Sequence, residues 1–130
     1  MSGMPHVPVS WGELIDKITI LEIKVECLRS ADAVANARRE LQLLRDVLGA
    51  PEGVEAMKAA LAAVNRTLWE IEDGIRAKEA AGVFDAEFVA LARAVYHNND
   101  ERSRIKRAIN EKLHSVIIEE KQYVRYGDAP

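Results

Sequence analysis

Apolar residues recur at spacings of three and four along most of this chain. The clearest run is Val54, Met57, Leu61, Val64, Leu68, Ile71 and Ile75. It predicts a helix from about Glu52 to Ala80 with one continuous seam for other helices. Upstream, Leu14, Ile18, Leu21, Val25 and Leu28 predict a first helix, and Ile15, Ile20 and Ile23 widen its stripe. A stripe that wide touches more than one neighbour. Val34, Ala37, Leu41, Leu44 and Leu48 mark a second helix. Phe88, Leu91 and Val95, then Ile105, Ile109, Leu113, Val116 and Ile117, mark a fourth from about Ala86 to Val124. Between those two runs the seam fails: from His97 to Arg107 only Ile105 is apolar, and a kink is expected near Asn98-Asn99. No segment alternates as a strand would.

The boundaries are written in turn and cap residues. Ser10 with Glu13 three residues on reads as a capping box. The chain turns at Arg29-Ser30-Ala31-Asp32. Gly49-Ala50-Pro51 ends the second helix, and Gly82 with Asp85 closes the third and opens the fourth. So short a connection makes the last two helices antiparallel neighbours. A turn centred near residue 82 pairs positions summing to roughly 165. That register sets Trp69 beside Tyr96, Glu72 beside Arg93, and Asn65 beside Asn99 and Asp100. Residues 1–9, with two prolines, read as an extended lead-in, and 125–130 as a frayed tail.

Composition changes this picture little. The 130 residues suit one domain, 1–130, with Ala, Leu, Ile and Val rather than aromatics in the core. The net charge of −3 is well mixed and argues against a nucleic-acid partner. No apolar run is long enough for a membrane and no signal peptide is legible, so a cytoplasmic protein is expected. Cys27 is alone, which removes an intrachain disulfide and a thiolate zinc cluster.

Beside the seam lies a second, polar line. On the third helix it comprises Asn65, Trp69, Glu72, Arg76 and Glu79; on the fourth, Ala92, Tyr96, Asn99, Ser103, Lys106 and Asn110. Asp16 and Lys17 of the first helix can reach it if that helix covers the fourth. The candidate ligand-binding set is therefore Asp16, Lys17, Asn65, Glu72, Arg76, Tyr96, Asn99, Asp100, Arg102, Lys106 and Asn110. In such a pocket Arg76, Arg102 and Lys106 receive an anion, and Asp100 or Glu72 orients them. The opposing reading is a solvated face held by surface pairs such as Glu72–Arg76 and Glu13–Lys17.

Familiar chemistries fit poorly. A helical di-iron site needs two Glu-x-x-His motifs, and Glu111-Lys112-Leu113-His114 is the one copy. Glu52-Gly53-Val54-Glu55 and Glu70-Ile71-Glu72-Asp73 match the letters of an all-α pyrophosphohydrolase. They fall on one helix, however, where carboxylates cannot converge on magnesium. Helical chorismate mutases use Arg and Lys without metal, but their N-terminal helix does not align here. No cofactor or metal site is expected, and no nucleophile triad or phosphate loop is present.

The opening Ser10-Trp11-Gly12-Glu13-Leu14-Ile15-Asp16-Lys17-Ile18-Thr19-Ile20-Leu21-Glu22-Ile23-Lys24 resembles that of a family of small bacterial helical proteins of unknown function. So do Val64–Asp73, Phe84–Tyr96 and Asn99-Asp100-Glu101-Arg102 through Ile109-Asn110. The resemblance implies a bacterial, soluble, one-domain protein and carries no reaction.

Together these patterns predict an all-α fold of antiparallel helical hairpins forming a bundle, with the fourth helix outrunning the third. The first two helices or a second subunit, as a homodimer, must cover that overhang. The leading functional expectation is a non-catalytic interaction or assembly module. The alternative is an anion binder or metal-independent enzyme using the polar inter-helix pocket.

Overall fold

Three of the four helices begin at a side-chain cap. In the computed structural model, which describes residues 3–126, the elements are α1 (Trp11–Cys27), α2 (Ala31–Leu48), α3 (Glu55–Ala81) and α4 (Ala86–Lys112). The expected features at 1–2 and 127–130 lie outside the described residues. Ser10, Ser30 and Asp85 accept from the backbone N–H three residues on, satisfying donors a helix start leaves free. Gly49 (φ 65°) and Gly82 (φ 69°) end α2 and α3 with backbone that favours glycine.

The hub is α1. It packs against α2 on one side and against both α3 and α4 on the other, whereas α2 meets α1 alone. Its wide apolar stripe explains this. Leu14, Ile18 and Leu21 face Ala37 and Leu41 of α2, while Ile15 joins Val54, Leu61, Ile105 and Ile109 at the open end of the α3–α4 hairpin. Gly12 makes the close approach to α4 possible. A Cβ there would lie 2.5 Å from the Lys106 carbonyl oxygen and 2.9 Å from Asn110 Oδ1.

The expected hairpin register is visible at Gly74, where a Cβ would sit 3.2 Å from Leu91 Cδ1. Two expectations are corrected. First, α4 runs through Asn98-Asn99 without a break, and the Asn98 side chain folds back to donate Nδ2–H to the Ala94 carbonyl. Second, α4 stops at Lys112, so it matches α3 at 27 residues and does not outrun it. As expected of the first helix, α1 covers the open end of the hairpin. From Glu72 to Arg104 no residue is buried.

The early stop of α4 is a Schellman turn. His114 takes the left-handed conformation (φ 53°), its N–H donates to the Glu111 carbonyl, and Ser115 N–H donates to that of Asn110. The chain then leaves as an extended strap, residues 113–126, that turns back along α4. Glycine adopts this backbone without a Cβ clash. His114→Gly should therefore raise stability by about 0.5–1 kcal/mol, read from the urea midpoint.

Candidate functional site

Asp16 is the centre of the polar cluster. It lies in the second turn of α1, on the face carrying Gly12 and Thr19, and is 1% exposed. A buried carboxylate must be paired and hydrogen-bonded. Arg102 of α4 donates Nε to Oδ1 at 2.9 Å and a terminal nitrogen to Oδ2, a two-pronged grip that fixes the guanidinium plane. The Asn65 amide of α3 donates to Oδ1 at 2.8 Å and to the Thr19 hydroxyl at 2.9 Å. Lys106 Nζ stands 3.9 Å from Oδ2 and donates to Glu13 at 2.6 Å. Burial pushes the Asp16 carboxyl up, but Arg102 and Asn65, with the charge of Lys106, outweigh it and hold it below the ordinary value.

A second group continues the cluster along α4. Asn110, 2% exposed, accepts the Gly12 N–H at 2.7 Å and donates to Glu119 of the strap at 3.3 Å. Ser10 also donates to Glu119, at 2.5 Å, and Ser115 accepts from Trp11 N–H at 3.3 Å. The capping box is therefore half-formed: Ser10 caps α1, but the Glu13 carboxylate goes to Lys106. No buried side-chain polar atom among the described residues lacks a partner.

This cluster separates two clefts. One, about 510 Å³, opens between α1, α3 and α4 and is lined by Asn65, Trp69, Glu72, Arg76, Asn99 and Arg102. The other, about 450 Å³, opens between α4 and the strap and is lined by Asp100, Ser103, Lys106, Arg107, Asn110 and Tyr126 among others. Arg102 faces the first and Lys106 the second, with Asp16 between them. Among the described residues no three His, Cys, Asp or Glu side chains gather as metal ligands, and no helix is long and apolar enough to cross a membrane.

Residues 5–130 match the family of unknown function DUF6165. The chain belongs to that family. No curated protein and no solved structure matches it. Family membership thus supplies no reaction, and any function must be argued from the geometry of this member.

Ten of the eleven residues singled out from sequence lie in the cluster, on a cleft, or on the strap contact. Lys17 is the exception: it follows Asp16 and so points outward, exposed. Asp100 and Tyr96 lie on the strap side rather than with Glu72. Tyr126 donates its hydroxyl to Asp100 and to the Tyr96 carbonyl, and its ring meets those of Tyr96 and His97. The hydrogen bond to the Asp100 carboxylate pushes the Tyr126 phenol up to about 12. The Tyr96 side chain thus meets the strap, while Trp69 lines the other cleft. Glu72 and Arg76 share a cleft but are not within ion-pair distance of each other among the described pairs. Sequence reasoning passed over Gly12, Thr19, Ser115 and Glu119. Gly12 and Thr19 share the Asp16 face at four and three residues, a small-and-polar stripe that could have been noticed.

Proposed function

We propose that the protein is a non-catalytic interaction and assembly module that pairs with a second copy of itself through the far half of the α3–α4 hairpin. The observation that carries this is the absence of any buried residue from Glu72 to Arg104. Each of these helices is about 40 Å long, whereas α1 is about 25 Å. The hairpin therefore continues past its cover as two helices alone. The seam residues Ile75, Phe88, Leu91 and Val95 are only half-buried there, and beside them Phe84 is 60% and Val89 52% exposed. Phe84 packs edge-on against Phe88, making a defined aromatic corner. Two helices cannot enclose their own seam, and an exposed apolar patch at the end of a rigid element is how a protein contact is built. Charges there are mixed, with Lys78 bridged to Asp85 and Glu87, so a second hairpin can approach without repulsion. Two such hairpins side by side complete a four-helix bundle with two-fold symmetry.

Sedimentation equilibrium tests it. The expected mass is a dimer that dissociates on dilution, and a Val89→Asp chain that stays helical but monomeric. A concentration-independent monomer mass for the unmodified chain would overturn the proposal.

A further inference from the structure

The cleft between α4 and the strap is cationic in a chain that is acidic as a whole. Five of its lining side chains are Lys or Arg against two acids, with Arg104 gripped by Glu101 from outside the cleft. The two acids are already committed. Asp100 accepts from Tyr126 at one end, and Glu119 accepts from Ser10 and Asn110 at the other. Between them the walls are basic. Lys106 is held in place by Glu13, while Arg107 has only long, exposed pairs, to Glu120 at 3.4 Å and Glu111 at 3.7 Å. Exposed pairs of that kind exchange readily for a better acceptor. Lys121 reaches into the same space from the strap, 5.8 Å from the ring centre of Tyr123.

We infer that this cleft binds a nucleoside monophosphate. Lys106 and Arg107 from one wall and Lys121 from the other suit a dianionic phosphate better than a single carboxylate. The Tyr123 ring, 65% exposed at the rim, offers a flat face on which a base can stack. The volume, about 450 Å³, lies within the range of small-molecule sites and exceeds what inorganic phosphate needs. The strap closes one side, so a single nucleotide fits where a continuous strand would not. This site lies apart from the far hairpin residues and stands independently of the dimer proposal.

Isothermal titration of the full chain with AMP, adenosine and inorganic phosphate tests it. AMP should bind saturably, and at least about tenfold more tightly than either fragment. Lys121→Glu should weaken AMP about tenfold or more, since a charge-assisted bond is replaced by repulsion. Tyr123→Ala should weaken AMP and leave phosphate unchanged. Neither strap residue is in the core, so the thermal midpoint without ligand should stay put in both variants. Absence of AMP binding, AMP affinity equal to that of phosphate, or AMP affinity indifferent to Lys121→Glu would each overturn the inference.

Discussion

Asp16→Asn should cost the fold about 3 kcal/mol, a drop of roughly 10 °C in melting temperature for a domain of this size. The substitution keeps the shape and removes the charge. Its new amide must point at the Arg102 nitrogens or at the Asn65 amide, donor against donor, because both carboxylate oxygens now accept. Arg102 would lose its partner while only 29% exposed, and Lys106 at 14% would keep Glu13 alone. Arg102 can still lean toward water, which is why the cost sits at the low end for a broken buried pair. The pH dependence follows from the same contacts. The folded carboxyl titrates below its unfolded value, so its stabilisation is complete above about pH 4 and is lost as pH falls through the lower, folded value. Urea midpoints taken from pH 6 down to pH 2 should fall steeply for the unmodified chain. The Asp16→Asn chain should show a shallower slope, and an identical slope would remove Asp16 from its assigned role.

Gly12→Ala should be comparably damaging, about 2–4 kcal/mol, although alanine is ordinarily the better helix former. The added methyl would meet the Lys106 carbonyl oxygen at 2.5 Å. That atom belongs to the α4 backbone and cannot swing aside. The start of α1 must lift from α4, stretching the 2.7 Å bond from Gly12 N–H to Asn110. Chemical denaturation compares the two chains directly. A cost within a few tenths of a kcal/mol would mean that the two helices part easily here.

The helices were legible because their signals agree. Ser10, Ser30, Gly49, Gly82 and Asp85 all act at the ends where their chemistry placed them. The end of α4 was not, since Leu113, Val116 and Ile117 continue the apolar spacing past Lys112 and His114 is not a residue that usually stops a helix. In the structure Val116 is fully exposed, so the spacing there has no packing behind it. Asp16, Asn65, Arg102, Lys106 and Asn110 could be collected from helix faces alone. Glu119 could not, because an extended strap has no periodicity from which to read its direction. The second cleft was hidden for the same reason.

That α1 meets both helices of the hairpin has a consequence for assembly. Neighbours along the chain join α3 to α4 across a short turn, whereas Arg102 and Asp16 stand 86 residues apart, Asn110 and Gly12 98, and Glu119 and Ser10 109. Long loops close late, after local contacts have formed. The polar cluster is thus the seal of a nearly circular chain, fastening its beginning to its end. Both clefts come into being with that closure, so a chain caught midway in folding presents neither of them to a ligand.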